Sequence, residues 1–389
     1  MFPTISSLIN YLFSTNFNWP FPTFGFFVAL AFVLSYFTFK SEFERKEKLG
    51  DIKAFPSENK FAKNYFWIYL MVYAVSGFVV GYKLVGVVGA YKLFISDPYG
   101  FMFSSAGSWL GGIIFLLLAM LAFYFEYKKS QNISDGQVSV LVSPKELMPT
   151  LVLWAAVTGF IGAKLFNVFE DYELHKSHSL IDIFHFSGLT FWGGLIFGAA
   201  SYLYIGIRNG IPWKHLADIG SLGMLVAYAV GRMGCHFSGD GDWGIVNRTV
   251  KPLNWLQDWM WSSTFPHNVI NQGKYIDGCT GAYCHELIDP VYPTSLYEFS
   301  SILLVFFVLY AIRNKVKTAG LMFTIYLFVI GIERFLIEFL RVNYKYDALG
   351  YSLSEAQLIS LLIVVFAVFM LGHLIYQRQS KTRLTKITM

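Results

Sequence analysis

Charge is scarce in this 389-residue chain. Charged residues make up 14% of it and hydrophobic residues 55%, whereas soluble domains carry about 25% charged residues. That shortage excludes a soluble globular protein and a disordered one. Cysteine is scarce too, with three residues, too few for a disulfide-stapled scaffold. The apolar runs lack the apolar–polar alternation of barrel strands, so a membrane β-barrel is excluded. The formal charge of +5 is modest, and the basic residues gather in particular loops. They read as topology signals, not as a nucleic-acid surface. The first residues lack the basic start and small-residue cleavage site of a signal peptide, so the first helix is expected to stay as an anchor. No His/Cys/Asp/Glu set has convincing ligand spacing, and no metal or organic cofactor is implied.

What is present is a series of apolar runs long enough to span a bilayer. Nine are expected: Phe21–Phe39, Tyr65–Val85, Ser108–Phe125, Leu147–Val168, Leu189–Ile207, Leu216–Phe237, Leu296–Ile312, Leu321–Phe339 and Gln357–Tyr376. The fold class is therefore all-α, a polytopic transmembrane bundle. Basic clusters follow the first, third, fifth, seventh and ninth runs, from Lys40 to Lys63, at Lys128, Lys129 and Lys145, at Arg208 and Lys214, at Arg313 to Lys317, and at Arg378 to Lys386. The positive-inside rule then puts the N-terminus outside and the C-terminus in the cytoplasm. The chain divides into a first span (1–40), a basic loop with an additional hairpin (41–146) and a core (147–389) with an extracytoplasmic loop (238–293). That loop holds Cys279 and Cys284. Outside the cytoplasm a disulfide is favoured over free thiols.

An internal repeat is visible. GFVVGYKL (Gly77–Leu84) resembles GFIGAKL (Gly159–Leu165), and SWLGGIIF (Ser108–Phe115) resembles FWGGLIF (Phe191–Phe197). Shared offsets at both ends favour a duplicated hairpin over chance likeness.

The polar groups draw attention because ionisable side chains at membrane depth are costly and face protein or water. GRMGCHFSGDGDWG (Gly231–Gly244) carries Arg232, His236, Asp240 and Asp242 after an apolar run. An arginine there either snorkels to the headgroups or faces a site. Arg334, Glu338 and Arg341 in IERFLIEFLR have the spacing of one helix face, as an interhelical ion-pair network or as a ligand site. Tyr297 and Glu298 follow Pro293, where an aromatic-belt tyrosine and a dipole-complementing glutamate are the plainer roles. Trp192 precedes Gly193 and Gly194, a small pair that permits close helix packing or close approach of a lipid headgroup. Arginines among apolar walls suit a phospholipid, with phosphate on guanidinium.

These motifs resemble the prolipoprotein diacylglyceryl transferases. GRMGCHFSGDGDWG resembles that family's Gly-Arg-x-Gly-Asn-Phe signature, FWGGLIFG its Gly-Gly-Leu segment, PTSLYE its Pro-Ser-Gln-Leu-Tyr-Glu segment, ERFLIEFLR its Phe-Arg-x-x-x-Glu-Phe-x-Arg segment, and SEAQLIS its final helix. The resemblance implies transfer of a diacylglyceryl group from phosphatidylglycerol to the lipobox cysteine of a prolipoprotein. The product is a thioether and glycerol 1-phosphate leaves. It implies a bacterial cytoplasmic membrane enzyme with its site on the periplasmic side. Arg232, His236, Arg334, Asp240 and Asp242 would serve catalysis, and Trp192, Gly193, Gly194, Tyr297, Glu298, Glu338 and Arg341 substrate binding. The chain departs from the signature where Cys235 replaces asparagine and His236 replaces phenylalanine, so His236 is a candidate base. A related transferase with another acceptor, or a non-catalytic lipid-binding component, is the alternative expectation.

Overall fold

The computed structural model describes the chain apart from residues 18, 20, 59–65, 97–100, 102–103, 134–138, 171–189, 344, 349–350 and 388–389. Lys60, Lys63, Tyr65 and Leu189, used in the topology and span expectations, fall outside the described residues. Each of the nine expected spans meets one long helix. A short helix α1 (Ile5–Phe13) precedes α2 (Thr23–Lys48). Then come α3 (Phe66–Gly89), α4 (Trp109–Ile133), α5 (Met148–Glu170), α6 (Phe191–Arg208) and α7 (Trp213–Ser238). The last three are α8 (Thr294–Ile312), α9 (Leu321–Ile337) and α10 (Glu355–Ile387).

Among the described residues seven of these helices are long and apolar enough to cross a membrane. The other two are α6, with 18 residues, and α9, with 17. Their outward faces carry large apolar side chains that water would not tolerate in such density, for example Leu362 and Phe369 on α10, 68% and 74% exposed. The protein is a polytopic helical membrane protein. Among the described residues strands are confined to three short antiparallel pairs: β1 (Phe55–Glu58) with β2 (Ser139–Val142), β3 (Lys274–Tyr275) with β4 (His285–Glu286), and β5 (Lys345–Ala348) with β6 (Tyr351–Ser354).

The chain forms two compact units, Met1–Asp51 with Ile211–Met389, and Ile52–Gly210. In the first, α7 is the central helix. Its Leu222, Leu225 and Ala229 are buried against Ile302 and Leu309 of α8 and Met322 of α9. Gly223 lets the Phe39 ring of α2 lie against the α7 backbone, and the Ser35 hydroxyl donates to the Gly223 carbonyl at 3.0 Å. At the N-terminal end of α7, buried Asp218 accepts from Lys46 Nζ (3.1 Å) and from the backbone N–H groups of Gly320 (2.9 Å) and Phe323 (3.0 Å). It thereby caps α9, whose first N–H groups have no partner within the helix. Nearby, buried Glu42 pairs with Arg45 (2.7 Å) and Arg313 (3.0 Å).

The second unit contains two helical hairpins, α3–α4 and α5–α6, closed by the same contacts. Gly81 faces the Gly111 carbonyl and the Phe115 side chain, and Gly162 faces the Gly193 carbonyl and the Phe197 side chain. The Ser108 N–H donates to the Tyr82 carbonyl at 2.8 Å, and the Thr190 N–H to the Ala163 carbonyl at 3.1 Å. Lys83 of α3 donates to the carbonyls of Phe101 (2.8 Å), Ser104 (2.6 Å) and Ala106 (2.9 Å). Its ammonium thus ties down the connection within its own hairpin.

Candidate active site

The signature stretch reaches the site by leaving a helix. Helix α7 ends where Gly239 adopts a left-handed conformation (φ 65°), and a second such glycine, Gly241 (φ 100°), turns the chain back. Left-handed backbone favours glycine, which has no Cβ to clash. The turn brings Asp242 beside Arg232, and the two form an ion pair. The Thr294 hydroxyl donates to the Asp242 carbonyl at 3.0 Å and holds the turn to the start of α8.

Glu298, in the first turns of α8, is fully buried. It pairs with Arg232 through Nε, with Arg334 at 3.1 Å and with Arg341 at 3.3 Å. Asp242 spans two of the same arginines, since Arg341 Nη2 also donates to it at 2.6 Å. Glu338 pairs with Arg334 at 3.2 Å, approaches Arg341 Nε at 3.9 Å and accepts from the Asn343 amide. Three guanidiniums and three carboxylates therefore alternate, which offsets the large cost of taking each charge out of water. Arg232 does not snorkel: its side chain is 12% exposed and doubly paired.

The Arg334–Glu338–Arg341 arrangement departs from the single helix face that its spacing implies. Helix α9 stops at Ile337, Glu338–Leu340 form a 3₁₀ turn, and Arg341 is extended (φ −90°, ψ 152°). The cause is backbone pairing with the signature loop. The Ile245 N–H donates to the Leu340 carbonyl at 2.7 Å, and Gly244 bridges Arg341. A Cβ on Gly244 would strike that same Leu340 carbonyl, so only glycine permits the approach.

Two donors in the cluster are unsatisfied among the described residues, Arg232 Nη2 and Arg341 Nε, the latter no closer than 3.9 Å to Glu338. Arg232 Nη2 is buried without a hydrogen-bond partner among the described residues, and a bare buried donor is costly unless something fills it. Arg334 is the most accessible of the three arginines, at 29%. Asp242 would be raised by burial alone, but Arg232 and Arg341 hold its carboxyl below the usual range. Asp240 behaves oppositely. Burial, and then the Asp242 charge, push it up, although contacts from Cys235, the Asp242 backbone and Arg232 work against the rise. Cys235 is 8% exposed, with its sulfur 3.7 Å from Arg232 Nη1. Cys235, Asp240 and Asp242 are the one group among the described residues with donor atoms close enough for a metal ion. Asp242 is already committed to two guanidiniums there, so the set does not resemble a cation site.

The remaining sequence candidates sit in different surroundings. His236 is fully buried against Phe237, Trp259 and Phe265, and its Nδ1 has no partner among the described residues. Tyr297 points its hydroxyl to the Trp261 carbonyl (3.3 Å) on the loop between α7 and α8. Trp192, Gly193 and Gly194 belong to the second unit, at the start of α6. There Gly193 is filled by the Gly162 carbonyl of α5, so this pair serves close helix packing. Cys279 and Cys284 are joined in a disulfide, beside β3 and β4.

Two residues outside the expected site set also organise this region, Asn268, which the sequence did not single out, and Glu333, which stood out only as an ionisable residue of its span. Asn268 is fully buried, and the two hydrogens of its amide have three carbonyls within reach, those of Phe265, Gln272 and His285, which fixes the loop between α7 and α8. Glu333 lies beside the cluster, where the single hydroxyl hydrogen of Ser301 has two acceptors within reach, the Glu298 carbonyl (3.1 Å) and Glu333 Oε1 (3.3 Å). The one advance signal was the Glu333 carboxylate in an otherwise apolar run.

Comparison with known proteins adds an independent line. A family model described as prolipoprotein diacylglyceryl transferase matches residues 130–373. A phosphatidylglycerol–prolipoprotein diacylglyceryl transferase from Clostridium botulinum (strain Langeland) is 31% identical over 228 residues, covering 58% of this chain and 79% of that protein. One from Geobacillus kaustophilus is 30% identical over 226 residues, covering 58% and 76%. One from Listeria monocytogenes is 27% identical over 236 residues, covering 60% and 76%.

Proposed function

The chain belongs to the prolipoprotein diacylglyceryl transferase family, and from that membership we propose that it transfers the diacylglyceryl group of phosphatidylglycerol to the lipobox cysteine of a prolipoprotein. The observation that carries the reading is the unfilled Arg232 donor within three mutually braced guanidiniums, of which Arg334 is the accessible one. Such an array suits a phosphodiester better than a neutral ester, because guanidinium pairs with phosphate oxygens in a bidentate fork.

In the reaction the cysteine sulfur attacks the glyceryl carbon that bears the phosphate. A carbon–sulfur bond forms, the carbon–oxygen bond breaks, and the electron pair leaves on glycerol 1-phosphate. Negative charge grows on the departing oxygen. Arg232 and Arg334 stabilise it, with Arg341 held behind them by Asp242 and Glu298. Fixed donors aimed at developing charge are the largest single contribution in many enzymes. The thiol proton passes to Asp240, whose affinity for protons burial raises above that of an ordinary carboxylate. His236 has aromatic neighbours on several sides and acts in packing. The acyl chains lie along the apolar helix faces. The protein sits in the bacterial cytoplasmic membrane with Arg232–Gly244 toward its outer face, the orientation that the basic loops favour.

The test is transfer by the purified protein with phosphatidylglycerol and a synthetic lipobox peptide, scored by mass. The peptide is expected to gain the diacylglyceryl mass with the wild type. Arg232→Ala is expected to lose at least about 10²-fold in rate, as removal of one oxyanion donor does elsewhere. Absence of transfer by a folded, lipid-binding wild type would reject the reading in favour of another acceptor or a non-catalytic role.

A further inference from the structure

A cleft of about 570 Å³ opens from the arginine cluster into the outer loops. Its inner end is formed by Asp242 and Arg341, and it runs outward between Gln272, Ile288, Val342 and Asn343. We infer that this cleft seats the residues of the acceptor peptide that follow its reacting cysteine. The inference rests on the transferase reading above, and it names the part of the substrate that the outer loops recognise.

Three observations converge on that occupant. First, every residue lining the cleft lies outside the membrane-spanning helices. Acyl chains need apolar walls between helices, whereas this cleft mixes carboxamides, carboxylates and backbone with its apolar side chains. Second, it is continuous with the reactive cluster. The cysteine of the acceptor follows an apolar segment that stays in the bilayer, so the residues after the cysteine lead from the cluster into water. A channel starting at Asp242 and Arg341 and running through the loops has that direction.

Third, its hydrogen-bonding groups suit an extended peptide. Gly244 and Ile245 pair on one side with Arg341 and Leu340 and on the other with Tyr292, and Val246 bridges Val291. The ladder ends at the Gly244–Arg341 bridge, and beyond it the Asn343 backbone groups and the Gln272 side-chain amide have no hydrogen-bond partner among the described residues. Unpaired backbone at the edge of a small sheet is a template for an added strand. Ile288 and Val342, 74% and 68% exposed, form apolar lips on either side. Asp289 is occupied by Arg248 at 2.8 Å, so the cleft beyond the cluster presents little net charge and selects uncharged residues.

The test compares two acceptor peptides, one ending at the cysteine as an amide and one continuing for six uncharged residues. Gln272→Trp, which fills the cleft, is expected to raise KM for the continued peptide by about fivefold or more. The KM for the truncated peptide, the KM for phosphatidylglycerol and kcat are expected to stay at wild-type values, which also reports correct folding. Equal effects on both peptides, or none on either, would overturn the inference. A continued peptide with a photoreactive residue two positions after the cysteine gives a second measurement. Labelling is expected at Ile288 or Val342, and labelling confined to other regions overturns the cleft as the seat. If the wild type transfers to neither peptide, the transferase reading itself has failed. The labelling pattern then reports separately on whether peptide enters the cleft.

Discussion

Glu298 binds three guanidiniums with one carboxylate, and removing its charge tests the cluster most directly. Glu298→Gln keeps the shape but leaves Arg232, Arg334 and Arg341 competing for a neutral amide. Breaking a buried pair from one side costs about 3–5 kcal/mol. A fall of several degrees in Tm together with loss of transfer is expected, and an unchanged Tm would show that the charge is not holding the arginines. The aspartates give opposite pH signatures. Asp242 has a depressed folded pKa. It contributes stability above the ordinary carboxylate range near pH 4, and that stability is lost as pH falls through the lower folded value. Asp240 is raised by burial, so its base form, and with it the rate, is lost as pH falls through that raised value. Asp240→Asn is expected to lower the rate by about 10²–10⁴-fold and to abolish this acid limb of the pH–rate profile. An acid limb retained in the variant would move the proton to another group. Residue types in the signature were legible in the sequence because charge in an apolar run is conspicuous. The centrality of Glu298 was not legible, since a glutamate in a first helical turn has an ordinary explanation in the helix dipole.

At the level of elements, the sequence locates every long helix because runs of about 20 apolar residues have few other uses. It does not locate the end of α9. Periodicity continues through Glu338 to Arg341, and only the backbone pairing of Leu340 and Arg341 with the signature loop shows why the helix stops at Ile337. Short capped helices such as α1, closed by reciprocal bonds between Thr4 and Ser7, lack the length to register as apolar runs. The two hairpins yield a comparison. Gly162→Val places a side chain against the Gly193 carbonyl, and Gly81→Val does the same against Gly111. Backbone cannot yield as a side chain can, and overpacking of this kind costs about 1–3 kcal/mol. Both variants are expected to lower thermal stability in detergent by similar amounts. A large effect at one position and none at the other would mean that the two hairpins are held together differently.

The whole molecule divides at Asp51 and Gly210, so the hairpin α5–α6 groups in compactness with α3–α4, whereas similarity in sequence attaches it to the region matched from residue 130 onward. Sequence reports ancestry and contact density reports packing, and the two need not draw the same line. In the first unit, Asp218 joins α7, the Lys46 turn of α2 and the start of α9. Asp218→Ala uncovers a buried ammonium and two N–H groups together, with an expected loss of about 3–5 kcal/mol. Lys46→Met added to it is expected to restore part of that loss, read as a non-additive double-mutant cycle from thermal unfolding. Strict additivity would mean that the ammonium and the carboxylate are not coupled.

The members of the arginine cluster come from well-separated stretches of the chain: Arg232 in α7, Asp242 in the loop that follows it, Glu298 in α8, and Arg334, Glu338 and Arg341 at and beyond the end of α9. During synthesis, Arg232 and Glu298 are made long before two of the arginines that complete their pairing. A nascent chain halted before α9 holds two carboxylates of the cluster, Asp242 and Glu298, with one guanidinium where the finished chain has three. The late helix then meets charges already waiting for it, and the array proposed to hold a phosphate is complete only when the last arginine arrives. Competence is thereby tied to completed membrane insertion, and an abandoned fragment is left without activity.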